Sequence, residues 1–227
     1  MTTENLNSIR ERAAFITQRL EQHFGDPVQK TRSRPMDNLV LTILSQNTND
    51  RNRDIAYRQL RERYASWEEV KDADLDEIEI AVRPAGLGKQ KASTIKNVLN
   101  WISDTYGDLN IDFLCHMDPW EAIETFTTQK GIGIKTMAVV LCFSCGIDVF
   151  PVDTHVHRIC RRLEFVPDKA TADKTFRLMK DVVPVGKSYS LHVNFLRLGR
   201  QICHARKPMC EICPIRENCP FGKARFD

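Results

Sequence analysis

Apolar residues recur along this chain at intervals of three and four, and almost no stretch alternates as a half-buried strand would. Leu6, Ile9, Ala13, Ile16 and Leu20 fall on one face of a helix, and Gly25 supplies the stop. A second helix starts near Pro35 and carries Leu39, Ile43 and Leu44. Ser66 with Glu69, Asp74 with Glu77 and Asp118 with Glu121 have the spacing of capping boxes, the last with Pro119 at the favoured first helical position. Gly107, Gly146 and Gly186 punctuate the remainder, which shows no repeat, low-complexity segment or obvious linker. The pattern predicts an all-α chain of short helices.

The stretch "QKGIGIKTMAVVLCF", residues 129–143, carries two glycines and then a lysine near the start of an apolar run. It predicts a helix from Trp120 to about Thr128, a tight turn, and a second helix from Ile134 to about Cys145. Gly131 and Gly133 are expected to take backbone angles closed to other residues and to let another backbone approach. The unpaired amides that open the second helix would then form a phosphate site, although an ordinary hairpin turn has the same sequence pattern. Lys135 falls in the first turn of that helix, where the dipole and partial burial both lower the pKa of an amine. More free amine is what a nucleophilic lysine needs; a surface lysine that snorkels to solvent is the plainer account of this one position.

A partner for it lies in "FPVDTHVHRICRRL", where Asp153 precedes Thr154 at the start of another helix and reads locally as an N-cap. From Lys135 to Gly146 a helix climbs roughly 16 Å, and an extended return from Ile147 to Asp153 spans roughly 23 Å. The carboxylate can therefore come back beside the lysine. Such a pair can do covalent chemistry on a sugar, one group attacking the anomeric carbon and the other stabilising the developing positive charge.

Composition narrows the setting. A chain of 227 residues can bury a core in one large domain or two small ones, and its 28% charged and 42% hydrophobic residues describe an ordinary globular protein. The start, "MTTENLNSIRERAAF", has no apolar leader and no run approaches the ~20 residues of a membrane span, so we expect a cytoplasmic protein with no membrane partner. In that compartment the eight cysteines are expected to be metal ligands or buried thiols rather than disulfides, with Cys142, Cys145 and Cys160 in the core. The net charge of +3 conceals a division. Residues 67–83 hold seven acidic side chains against two basic, and residues 197–225 hold seven basic against Glu211 and Glu217. A basic tail suits a polyanion such as nucleic acid, or is a solvated charged face.

Within that tail, "CHARKPMCEICPIRENCP" sets Cys203, Cys210, Cys213 and Cys219 in the pattern Cx6Cx2Cx5C. A single close pair fits a zinc ribbon poorly, while four thiolates in one short segment suit a 4Fe-4S cluster.

The order "KGIGIKT", then "VDTH" with Asp153 eighteen residues after Lys135, then Cx6Cx2Cx5C, resembles the endonuclease III family of helix-hairpin-helix DNA glycosylases. The likeness runs from "ILSQNTND" to Cys219. It implies a two-domain all-α fold, with residues 31–146 as a six-helix barrel holding the hairpin and residues 1–30 and 147–227 as the cluster domain. It implies that the damaged base is flipped into the cleft between them. Lys135 would form a Schiff base with deoxyribose, and Asp153 would assist base loss. Gly131 and Gly133 would bind a DNA phosphate, with a monovalent cation on neighbouring carbonyls. Leu87 in "AGLGKQKA" would wedge into the duplex, unless it merely packs its loop, and Gln46 or Asn47 would fill the vacated space, unless they cap a helix. Arg206 and Lys207 resemble the loop that grips the DNA backbone, and His155 is a further candidate for a phosphate, as is His157, unless they are satisfied structural histidines.

The implied activity is base excision of oxidised pyrimidines followed by β-elimination at the abasic site, on double-stranded DNA, by a monomer associated with the nucleoid if the source is prokaryotic. Gln129 and Lys130 replace the usual apolar residue and proline before the hairpin, Ile134 a basic residue, and Met137 an alanine. A mismatch-type or alkylated-base glycosylase is the related alternative. Against the adenine-mismatch kind stand Thr42, where those carry a carboxylate, and a chain end eight residues after Cys219. Against the thymine kind stands Lys135. A non-catalytic DNA-binding iron-sulfur protein is the alternative from another class, opposed by Lys135 and Asp153 together.

Overall fold

The computed structural model describes residues 3–225, and among them every regular element is helical. The α-helices are α1 (Thr3–Phe24), α2 (Pro35–Leu44), α3 (Asp50–Arg63), α4 (Trp67–Asp72), α5 (Leu75–Val82) and α6 (Gly88–Tyr106). They continue as α7 (Pro119–Thr127), α8 (Ile134–Val140), α9 (Thr154–Arg162), α10 (Ala172–Met179), α11 (Ser188–Gln201) and α12 (Pro220–Lys223). No described helix is long and apolar enough to cross a membrane.

The chain divides into two compact units, one of Arg32–Cys145 and the other of the residues up to Thr31 with those from Gly146 onward. In the first, α2 to α8 close over Leu39, Ile43, Leu60, Ile78, Ile95, Leu99 and Phe126, all fully buried. Each such side chain contributes roughly 1.5–3 kcal/mol of burial. In the second, α1 packs on α11, and α9 lies against α10, α11 and α12. Ile9, Ala13, Ile16 and Leu20 face inward as their spacing predicts, while Leu6 is only half-buried.

Helix starts follow the predicted caps with small differences. Ser66 accepts from the Glu69 amide, but the Glu69 carboxylate reaches back to the amide of Ala65 rather than of Ser66. Asp74 accepts from Asp76 instead of from Glu77. Asp118 accepts from both Trp120 and Glu121 with Pro119 in the first turn, so three donor positions are dealt with at once. The helix predicted from Ile134 to Cys145 is α-helical only to Val140 and then widens into a π turn over Leu141–Cys145. There Ser144 accepts from the buried amide of Asn38 on α2 at 3.0 Å.

The expectation that no cysteine is paired is corrected. Cys115, at the end of the short 3-10 turn Asp112–Cys115, is disulfide-bonded to Cys145 in the π turn, with Cα atoms 4.7 Å apart. Cys145 is therefore no core thiol, whereas Cys142 and Cys160 are buried and outside any disulfide. Packing of the two turns brings this pair together, and a rule about redox compartments carries no information on proximity. Closing a loop of sequence separation 30 constrains the unfolded chain by roughly 3–4 kcal/mol in the chain-entropy picture. Cys115→Ser is expected to lower the denaturant midpoint of the 32–145 unit correspondingly, and non-reducing peptide mapping of the native protein should recover the linked Cys115 and Cys145 peptides.

Candidate functional site

α7 ends at Thr127, and the chain turns through residues 128–133 before α8 begins. Gly131 takes φ +93, and a Cβ there would stand 2.6 Å from the side chain of Thr94 on α6, so both conformation and space require glycine. Gly133 differs from expectation. Its φ of −106 is open to any residue, and a Cβ would meet nothing within 4 Å. The second glycine is thus unnecessary to the turn itself; what it leaves is an open backbone face. Gly133 is the N-cap of α8 and supplies no side-chain acceptor, and its carbonyl takes the amides of Thr136 and Met137. Lys135 stands half-buried in that uncapped first turn.

Two loops of the same unit carry the other candidates. Gln46 is half-buried just past the end of α2, and its Nε2 donates to the Gly131 carbonyl at 3.1 Å, which ties this loop to the hairpin. Asn47 is exposed with φ +51. Leu87 precedes α6 with φ +51 and is 53% exposed. Left-handed backbone costs a non-glycine residue roughly 1–3 kcal/mol and gathers at functional positions. Among the described residues Asn47, Leu87 and Glu164 are the three that show it. Lys91, one turn into α6, is buried, and its Nζ donates to the carbonyls of Leu44 at 2.7 Å and Ala85 at 2.8 Å.

In the other unit Asp153 is half-buried and caps α9, its Oδ1 accepting from the Val156 amide at 2.7 Å. The ring of His155 packs on Gly199, where a Cβ would stand 2.8 Å from Nδ1. Nδ1 lies 3.0 Å from Nη2 of Arg158, and since a guanidinium only donates, this nitrogen is the acceptor. His157 pairs through Nδ1 with Thr175 Oγ1 at 2.9 Å, and burial, then Arg161, hold its pKa below the usual range. It is a structural histidine.

The four tail cysteines come together. Cys203, Cys210, Cys213 and Cys219 line one cavity with Ile159, Leu198, Ile215 and Phe221. Four cysteine side chains around one cavity are a donor set for an iron-sulfur cluster. Burial raises the pKa of Cys213 to about 11, with Cys203, Cys219 and Cys210 adding to it, and raises Cys210 and Cys219 likewise. Three crowded thiols that resist ionisation need a strongly positive centre to become thiolates, which is what iron supplies. Donors already aim at sulfur: Arg162 Nη1 at Cys203 Sγ, 3.0 Å, and the Gly222 amide at Cys219 Sγ, 3.4 Å. The residues present fit a 4Fe-4S cluster.

Sequence reasoning passed over the arginines of α9. Arg158 donates to the carbonyls of Gly199 and Cys203, and Arg162 to those of His204 and Ala205 while lying 4.4 Å from the Phe221 ring. They fix the entry to the segment where Arg206 and Lys207 are exposed. The available signal was "HRICRR", a helix with its cations on the face opposite Val156 and Cys160 only in part.

Comparison with known proteins agrees with this arrangement. The HhH-GPD superfamily of base excision DNA repair proteins matches residues 40–185, and the iron-sulfur binding domain of endonuclease III matches residues 203–219. Endonuclease III of Sulfolobus acidocaldarius is 37% identical over 187 residues, 81% of this chain and 80% of that protein. Endonuclease III of Thermotoga maritima is 29% identical over 191 residues, 84% and 85% of the two. The solved structure of a trapped endonuclease III-DNA covalent intermediate has the same fold, with a TM-score of 0.81 at 23% identity over 96% of this chain and 99% of that one. With its helical hairpin, its cysteine-lined cavity and these relatives, the chain belongs to the endonuclease III family of the HhH-GPD superfamily, 4Fe-4S domain included.

Proposed function

We propose that this chain excises oxidised pyrimidines from duplex DNA and nicks the strand through a Schiff base on Lys135. The family makes it a DNA glycosylase and abasic-site lyase of base excision repair; the lesion class and the residue roles are the proposal. Lys135 carries the reading, as an amine in the first turn of a helix that no side chain caps, beside a glycine with an open face.

The chemistry follows from these positions. The amine of Lys135 attacks C1′ of an extruded nucleotide, and the base departs with the bonding pair and takes up a proton. Asp153 spends Oδ1 on the α9 cap, and its charge stabilises the positive sugar as the glycosidic bond breaks. The C1′–O4′ bond then breaks as the nitrogen gives up its protons and O4′ takes one, and the imine so formed acidifies the C2′ proton, whose loss expels the 3′ phosphate. The amides at Gly133, Ile134 and Lys135 receive a backbone phosphate, assisted by a monovalent cation on hairpin carbonyls. Leu87 enters the stack, and Gln46 or Asn47 occupies the space left. His155, Arg206 and Lys207 contact phosphates, which position the duplex without reading it. Cys203, Cys210, Cys213 and Cys219 hold the cluster, which cross-links the segment bearing Arg206 and Lys207. The enzyme works as a monomer, at the nucleoid of the cytoplasm if the source is prokaryotic.

Borohydride is expected to trap a covalent protein-DNA adduct on duplexes with an oxidised pyrimidine, and Lys135→Gln to abolish it while lesion binding persists; an adduct at wild-type yield in that variant removes Lys135 from the mechanism. Asp153→Asn keeps a capping oxygen, so the fold should hold while base excision falls on the order of 10²-fold. Nicking of a preformed abasic site should suffer less; equal losses would assign Asp153 to lysine activation or to structure.

Gly133→Ala should leave stability unchanged, since the methyl meets no protein atom, yet weaken binding to damaged and undamaged duplexes alike by about tenfold. Gly131→Ala should instead destabilise by more than about 1 kcal/mol, because φ is positive and Thr94 is in the way.

Anaerobically purified protein is expected to be yellow-brown with about four irons per chain, and Cys213→Ser to lose both colour and iron. Stoichiometric zinc without visible absorption would overturn the ligand assignment.

A further inference from the structure

The buried ammonium of Lys91 serves neither the proposed nucleophile nor the cluster, and a buried amine is seldom retained without a use. Only 3% of the residue is exposed, and burial holds its pKa below the usual lysine range. Its two acceptors belong to different segments. Leu44 is the last residue of α2, three positions before Asn47, and Ala85 closes the 3-10 turn Arg83–Ala85, two positions before Leu87. Both are carbonyl ends of helical segments, where partial negative charge accumulates and a cation is favoured. The residues that follow each anchored carbonyl include two of the three left-handed non-glycine residues described, Asn47 and Leu87, each at φ +51.

We propose that Lys91 is a positioning residue for base extrusion, one ammonium that holds the Gln46–Asn47 loop and the Leu87 loop at a fixed separation so that filler and wedge enter the duplex together. This rests on the roles given above to Leu87 and to Gln46 or Asn47. The choice of lysine has a physical reason. Its three protons diverge from one nitrogen, so a single atom can satisfy two carbonyls that arrive from different directions. An apolar side chain of equal length would pack as well but would leave both carbonyls unpaired and the two loops independent. A left-handed residue persists only where its surroundings over-determine it, and the anchored carbonyls two and three residues upstream supply that restraint.

The test compares wild type, Leu87→Ala, Lys91→Met, Lys91→Arg and the Leu87→Ala/Lys91→Met double variant. Single-turnover excision is measured on an oxidised pyrimidine in a paired duplex and on the same lesion in a bubble, with 2-aminopurine beside the lesion to report unstacking. Lys91→Met is expected to slow the paired substrate about tenfold and the bubble less than twofold, and to diminish the fluorescence rise on binding. The double variant should be no slower than the slower single, because both act through one wedge, and Lys91→Arg should recover part of the loss. Equal slowing on both substrates, or additive losses in the double variant, overturns the proposal. A paired-substrate defect in Leu87→Ala without one in Lys91→Met overturns this proposal and leaves the wedge; absence of the defect from Leu87→Ala as well overturns both. Lys91→Gln, which keeps an amide donor on a shorter stem, is measured beside Lys91→Met. Loss of helical circular dichroism in both would make Lys91 a folding residue and overturn its role in extrusion.

Discussion

A chain built from short helices must pair, at both ends of each, the backbone amides and carbonyls that the helix leaves over, and here the two kinds of end are met by different chemistry. Amide ends are met by small oxygen-bearing side chains: Asn49, Ser66, Asp74, Asp118, Asp153 and Thr171 each accept from the helix they precede. Carbonyl ends are met by long cations from elsewhere in the chain. Arg197 donates to Phe24 at the end of α1, and Lys91 to Leu44 at the end of α2. Lys96 donates to Lys71 and Ala73 around the end of α4, and Arg12 to Leu163 after α9. Arg158 serves Gly199 and Cys203 near the end of α11. Since a cation at a carbonyl end also meets the favourable pole of the dipole, these bonds combine fold-specific reach with electrostatic gain.

Starts that lack such a cap then stand out. α2, α6 and α8 begin at Arg34, Leu87 and Gly133 with no side-chain cap, whereas the Ser188 amide that opens α11 is met by Asp148 Oδ1 at 3.2 Å. Two of these are the proposed wedge and the proposed phosphate turn. A helix start that its own protein leaves open can bind an anion from outside without first displacing an internal partner, so the same rule that stabilises the fold marks where the fold is incomplete without DNA.

Much of this was legible before any coordinates. The three-and-four spacing in α1, the capping residues, the hairpin and the Cx6Cx2Cx5C tail depend on neighbours in sequence, and neighbours in sequence are what a sequence displays. What escaped depends on neighbours in space. Nothing near Cys115 or Cys145 distinguishes them from the buried Cys142, because their bond is made by two turns 30 residues apart. Lys91 sits in "GLGKQKAS" among two other lysine-or-glutamine positions that face outward, and only the helix rotation turns this one to the carbonyls. Gly133 departs from expectation for a subtler reason. Two glycines one residue apart suggest a strained turn twice over, whereas one positive φ at Gly131 already completes the reversal and frees the second glycine for another use.

The division of the chain has a consequence for its life on the ribosome. The unit Arg32–Cys145 is continuous, so every segment of its core has been made before synthesis reaches the residues that follow. α1 has no such luck of order. It is translated before that unit, yet its partners are late: Lys187 and Ser190 on Glu21, Asn194 on the Gly25 carbonyl, Arg197 on that of Phe24. Until α11 emerges, α1 lacks the helix on which it packs. At about 5–20 residues per second the first helix waits on the order of ten seconds or more with its apolar stripe exposed. A nascent chain stalled between these points would carry a finished 32–145 unit and an amphipathic helix without its packing partner, the species on which a chaperone that holds apolar stripes should act.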